Sequence, residues 1–123
     1  MAIRVLMADD NDAMRSAIRR TLNEEPRIEI VAEASTFAET IQMISDFKPA
    51  VLLLDLHLPE RREITPALVK AQLRRVCTLA VSLSNDAEAK ALAESYGAVS
   101  LLDKMNLYRE MIPAIMQFSD NPA

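Results

Sequence analysis

The 123-residue sequence predicts an α/β fold, a five-stranded parallel sheet held between two layers of helices. Three observations carry this. Short apolar runs alternate with amphipathic segments of helical period, as a chain of right-handed β-then-α crossovers requires. The run Val51-Leu52-Leu53-Leu54 is too short for a stable helix but suits a strand buried on both faces, and it ends in Asp55. Three other apolar runs also end in polar groups, in Asp9-Asp10, Ser82 and Lys104. A parallel sheet brings all these ends to one rim, the edge where open α/β sheets gather their ligands.

The first strand is read as Ile3 to Ala8. Asp12 is expected to cap the following helix, which carries Met14, Ala17, Ile18, Thr21 and Leu22 at helical spacing and stops at Asn23 before Pro26. Ile28, Ile30 and Ala32 alternate with Glu29, Val31 and Glu33, a mixed pattern that suits an edge strand. Thr36-Phe37-Ala38-Glu39 has the spacing of a capping box, and Phe37, Ile41, Ile44 and Phe47 form the apolar stripe of the second helix. Lys48-Pro49 stops it. After the Asp55 strand, Thr65-Pro66 reads as the N-cap and first position of a helix with Leu68, Val69 and Leu73 on its apolar side.

The fourth strand is placed at Val76 to Leu83. Asn85 or Asp86 then caps an alanine-rich helix from Ala87 to Tyr96, closed by Gly97, the sole glycine, where a left-handed C-cap needs one. A fifth strand, Val99 to Leu102, leads to a helix with Leu107, Met111, Ile112, Ile115 and Met116 on its buried side. Pro113 within it predicts a kink or a late start. Residues 1–118 are read as one domain and 119–123 as a tail or the start of a linker.

Composition narrows the function. A net charge of −4 argues against a surface that coats nucleic acid, and the pairs Arg19-Arg20, Arg61-Arg62 and Arg74-Arg75 are read as solvated faces. One cysteine, Cys77, permits neither an internal disulfide nor a CxxC metal site, and it is expected to be a buried strand residue in a reducing compartment. Without a leader-like segment or an apolar run near membrane-spanning length, the reading is cytoplasmic, with no membrane partner.

A flavodoxin-like strand order, 2-1-3-4-5, sets the first and third strands side by side at the topological switch point, so Asp9, Asp10 and Asp55 converge. Carboxylates so close repel one another by several kcal/mol at intermediate dielectric, so the cluster must take up a proton or a cation. Hard oxygen donors with room for water suit Mg2+ or Mn2+ better than zinc.

Asp9-Asp10, Asp55-Leu56-His57-Leu58-Pro59, Ser82 and Lys104, in this order and at these separations, resemble the receiver domain of two-component response regulators, a CheY-like three-layer sandwich. The resemblance spans essentially the whole chain. It implies that Asp55 is the phosphoacceptor, attacking a phosphohistidine on a sensor histidine kinase as a carboxylate nucleophile. Asp9, Asp10, Asp55 and the backbone carbonyl of His57 would hold the Mg2+. Ser82 and Lys104 would sense the phosphoryl group and pass the event on to the fourth helix. The protein would then be no enzyme beyond its own phosphorylation and dephosphorylation. A homodimer through the fourth helix, fifth strand and last helix, or through another helical face, is expected.

Some positions depart from the family pattern. Glu63 stands in a charged, glycine-free loop where a glycine is common. Leu101 takes the place of a switch Tyr or Phe, and Leu83 is bulkier than the small residue often found beside the serine. With Ser84 these are read as secondary modulators. Met105, in place of a frequent proline, and the runs Val81-Ser82-Leu83-Ser84-Asn85 and Leu101-Leu102-Asp103-Lys104-Met105 are closest to regulators with LuxR/NarL-type helix-turn-helix outputs. That implies transcription regulation through a DNA-binding domain absent from this chain, with no direct nucleic-acid binding here. The alternative is a free-standing or degenerate receiver acting as an interaction module. A phosphohydrolase of the haloacid dehalogenase type resembles a different pattern, with two aspartates one residue apart after the first strand, whereas the candidate nucleophile here follows the third, and a flavin carrier needs phosphate loops richer in glycine.

Overall fold

The computed structural model describes residues 2–58 and 64–119. Strands β1 (Ile3–Ala8), β2 (Ile28–Ala34), β3 (Val51–Asp55), β4 (Cys77–Ser82) and β5 (Ser100–Asp103) form one parallel sheet in the order β2-β1-β3-β4-β5. They alternate with α1 (Asp12–Asn23), α2 (Phe37–Phe47), α3 (Pro66–Leu73), α4 (Ala87–Ser95) and α5 (Leu107–Ser119). The architecture is the flavodoxin-like three-layer sandwich expected from the sequence.

Because β3 is central, every residue from Val51 to Asp55 is buried, and the sheet has a core on each side. On one face Leu52, Leu54 and Ala80 meet Phe37 of α2, Val69 and Leu73 of α3, and Ala89 and Ala93 of α4. On the other Val5, Leu53 and Val81 meet Ile18 and Leu22 of α1 and Leu107, Met111 and Ile115 of α5. The period of two along the strands sorts neighbouring side chains to opposite layers. Each buried Leu or Ile contributes about 2 kcal/mol of transfer free energy.

Several local expectations shift. The N-cap of α1 is Asn11, not Asp12, its side chain accepting from the Met14 N–H at 2.9 Å. The frame is set upstream, where the Asn11 N–H donates to Asp9 Oδ1. Thr36 caps α2 as expected, but Glu39 reaches back to the N–H and hydroxyl of Ser35, one residue earlier than in a standard box. The buried face of α2 is Phe37 and Thr40, while Phe47 is exposed. Thr40 is tolerated inside because its hydroxyl donates to the Thr36 carbonyl at 2.7 Å.

On α3, capped by Thr65, the inward residues are Val69 and Leu73, and Leu68 points to solvent. Asp86, rather than Asn85, caps α4. β4 is one residue shorter at each end than expected and β5 lies one residue further along, leaving Val99 exposed. Cys77 is only half-buried, at the start of β4. The last helix does not start late: a 3-10 turn, Lys104–Asn106, leads directly into α5, and Pro113 sits within the helix on its exposed side. β2 also carries an irregularity, since Val5 pairs with Ile30 and Leu6 with Ala32, which breaks the simple alternation there.

Gly97 follows α4 with φ +81°, the left-handed region that disfavours a Cβ. A Cβ there would meet only the flexible Lys70 side chain, at 3.3 Å, so conformation rather than space sets its cost. Gly97→Ala should therefore lower the stability by about 1–2 kcal/mol, read from urea unfolding midpoints. An unchanged midpoint contradicts this role.

Candidate functional site

Parallel pairing builds the site. Ala8 is opposite Leu54, Asp55 opposite Val81, and Ser82 opposite Asp103, so the next residues of four adjacent strands emerge side by side. Asp9, Asp55, Ser82 and Lys104 are thereby brought to one rim. One carboxylate oxygen from each of Asp9, Asp10 and Asp55 lies within 4.8 Å of the others. Asp9 and Asp55 are buried, at 3% and 4% exposure, while Asp10 faces solvent.

The two buried carboxylates are held alike. Oδ1 of Asp9 accepts from the Asn11 N–H at 2.9 Å, and Oδ1 of Asp55 accepts from the His57 N–H at 3.0 Å. Their Oδ2 atoms face Lys104, whose Nζ lies 3.0 Å from Asp9 and 3.4 Å from Asp55. Burial raises the pKa of Asp55 and the charge of Asp9 adds to this, while the His57 N–H and Lys104 pull it back. Burial also works against the charge on Lys104, but its hydrogen bond to Asp9 and the attraction of both carboxylates prevail and raise its pKa. Two unit charges 4.8 Å apart repel by about 3 kcal/mol at an effective dielectric of 20. Three carboxylates facing one ammonium leave two negative charges uncompensated, and with one donor open to water the set fits a hard divalent cation.

Ser82 is buried, and its Oγ accepts from the Ser84 N–H at 3.1 Å. The exposed His57 ring reaches it, with Nε2 3.4 Å from Oγ. Leu83 is exposed, and Ser84 Oγ accepts from the Asp86 N–H that leads into α4. Leu101 is half-buried and packs against the core beneath α4, away from the carboxylates. Glu63 lies outside the described residues.

Sequence reasoning missed Arg15. Its Nη1 donates to the Asp9 main-chain carbonyl at 2.5 Å, and its guanidinium pairs with Asp12 and with Glu33 on β2. Arg19, one turn on, holds Glu33 with two hydrogen bonds of 2.6 and 2.7 Å. The spacing of Asp12, Arg15 and Arg19 on one helix face was the available signal, but their partner Glu33 comes from a strand that only the fold brings near.

Residues 5–116 match the family model of the response regulator receiver domain. The chain belongs to that family. A protein-glutamate methylesterase/protein-glutamine glutaminase of Pyrococcus abyssi is 31% identical to it over 104 residues, 83% of this receiver but 28% of that relative. The receiver therefore spans less than a third of that relative's length. The signal receiver domain of the response regulator NarL from Mycobacterium tuberculosis superimposes with a TM-score of 0.86 at 25% identity, covering 98% of both chains. The response regulator domain of Thermotoga maritima CheB gives 0.84 at 20% identity over the full length of both, a likeness of fold alone. The expected leaning towards LuxR/NarL-type regulators is thus not singled out, since methylesterases stand among the relatives by sequence and both kinds among the structures.

The Arg19 hydrogen bond lowers the Glu33 pKa in the folded state, so its stabilising contribution is present above the unfolded value near 4.5 and is lost as pH falls through the folded value. Glu33→Gln should cost about 0.5–1 kcal/mol at pH 7, discounted for the exposure of Arg19. In acid the variant and wild-type stabilities should converge. A difference independent of pH between 7 and about 3 contradicts this ion pair.

Proposed function

We propose that this receiver takes a phosphoryl group from the phosphohistidine of a sensor histidine kinase onto Asp55 and relays the change to an output outside this chain. The observation that carries the proposal is the setting of Asp55. It ends a fully buried strand, has Oδ1 tethered by the His57 N–H, and presents Oδ2 beside the only ammonium on this rim among the described residues.

In the transfer, Asp55 Oδ2 attacks phosphorus in line as the P–N bond breaks, its electron pair staying on the donor ring, which carries a proton on its other nitrogen and so leaves as neutral imidazole. Asp9, Asp10 and Asp55, with the His57 backbone carbonyl, would hold Mg2+ or Mn2+, which when bound neutralises phosphoryl oxygens as charge builds on them. Lys104 exchanges its contact with Asp55 for one with a phosphoryl oxygen. Ser82 already accepts from Ser84, so its own proton is what it offers to the phosphoryl group, and turning it draws on the loop that starts α4. No separate substrate is turned over.

A DNA-binding output is supported by the NarL receiver likeness and by the strand endings around Ser82 and Lys104. The methylesterase relatives favour a second reading, in which the receiver controls a catalytic domain. A shifted surface of α4, β5 and α5 suits either, through a homodimer or a held output domain. The half-buried Cys77 in thiol form, and the lack of a described helix long and apolar enough to cross a membrane, agree with a cytoplasmic setting. A degenerate receiver is disfavoured by the joint presence of Asp9, Asp10, Asp55, Ser82 and Lys104 on one rim.

A small phosphodonor with Mg2+ should add one phosphoryl mass to the wild type and none to Asp55→Asn by intact-protein mass spectrometry. Equal labelling of both proteins sinks the assignment.

A further inference from the structure

At the opposite end of the sheet from the carboxylates, a groove of about 740 Å3 runs between the C-terminal halves of α2 and α3. Ile41 and Ile44 of α2 and Lys48 at its end line one wall, and Ala71 of α3 with Arg74 and Arg75 beyond its last turn line the other. α3 leans on α4 rather than on α2, so this seam stays open.

The basal end of the groove is cationic although the chain is acidic overall. Lys48, Arg74 and Arg75 line it, and Arg4 joins them by donating to the Lys48 carbonyl at 3.4 Å. None of the ion pairs among the described residues involves any of the four. Asp46, the nearby carboxylate of α2, accepts instead from Gln42 on the same helix. The helix dipoles account for cations at Lys48 and Arg74, which end α2 and α3. They do not account for Arg4, which comes from β1.

We propose that this groove docks an acidic amphipathic helix of a protein partner. An apolar stripe at i, i+3, i+4 and i+7 would lie along Ile41, Ile44 and Ala71, and carboxylates at one end would meet Lys48, Arg74 and Arg75. A small anion would engage only the basic end and leave the apolar walls uncovered. The surface lies away from the rim of Asp55 and from the face of α4, β5 and α5, so a partner can occupy it without blocking phosphotransfer.

The test uses a fluorescent amphipathic helical peptide of leucine and glutamate, and a twin with lysine in place of glutamate, read by anisotropy. The wild type should bind the acidic peptide and not the basic twin. The affinity should fall about tenfold in Arg74→Glu/Arg75→Glu and fall again as salt is raised. Ala71→Trp, which fills the groove without changing its charge, should also abolish binding. All three positions are exposed, and melting curves check that the variants fold. The proposal is overturned by no binding at millimolar peptide, by equal binding of the twins, or by affinity that neither variant changes. It is equally overturned by displacement of the peptide with inorganic pyrophosphate, which marks a small-anion site, and by a wild-type dimer that the arginine variant dissociates, which marks self-association.

Discussion

Asp9 and Asp55 follow neighbouring parallel strands, so the pairing that seals the core also forces two carboxylates together almost out of water. Each acid has one oxygen on a main-chain N–H and the other on Lys104, contacts that offset part of the cost of burying it. Lys104 comes from the far side of β4, beyond Ser82, so a single ammonium ties the first, third and fifth strands at their C-terminal ends. The exposed Asp10 brings in a third negative charge that nothing on the rim balances. The cluster thus fits a cation, which the phosphotransfer proposed for Asp55 requires.

The same rim is wired into α1, through Asp9, Asn11 and Arg15, and into α4. Ser82 accepts from Ser84, Ser84 accepts from Asp86, and Asp86 caps α4. That helix holds the sheet mainly through the small side chains Ala89 and Ala93, with Tyr96 just beyond its end buried edge-on against Phe37 at 6.0 Å. Alanine contacts bury little area, so moving α4 disturbs less packing than moving α1 or α5, whose anchors are Ile18, Leu22, Met111 and Ile115. Leu101 packs in the same core beneath α4.

The strand order and the rim residues were legible in the sequence because each depends on short-range pattern plus one topological rule. A buried run ending in Asp, Ser or Lys fixes where the end points, and parallel pairing does the rest. Details set by contacts between distant segments were not. The choice of Asn11 over Asp12 as cap depends on where Asp9 is held, and four cap-forming residues in a row offer no local preference. Thr40 is buried on α2 because its hydroxyl is satisfied by the preceding turn, a fact invisible to an apolar stripe, while Phe47 at the helix end is exposed. Arg15 was missed because its partners, the Asp9 carbonyl and Glu33, are backbone and edge-strand groups. Pro113 did not delay α5, which starts at Leu107 and carries the proline on its exposed side.

If the acidic rim is balanced by Lys104 only in part, a divalent ion should stabilise the fold through Asp10, the carboxylate that the lysine does not reach. The decisive measurement is thermal unfolding of the wild type and Asp10→Ala as a function of Mg2+, against NaCl at matched ionic strength. Expected is a melting temperature that rises with Mg2+ and not with NaCl in the wild type, and a rise much smaller in Asp10→Ala, whose own starting stability is equal or higher because one repulsion is gone. A wild-type curve indifferent to Mg2+, or an equal response in Asp10→Ala, contradicts a cation site built from these three carboxylates.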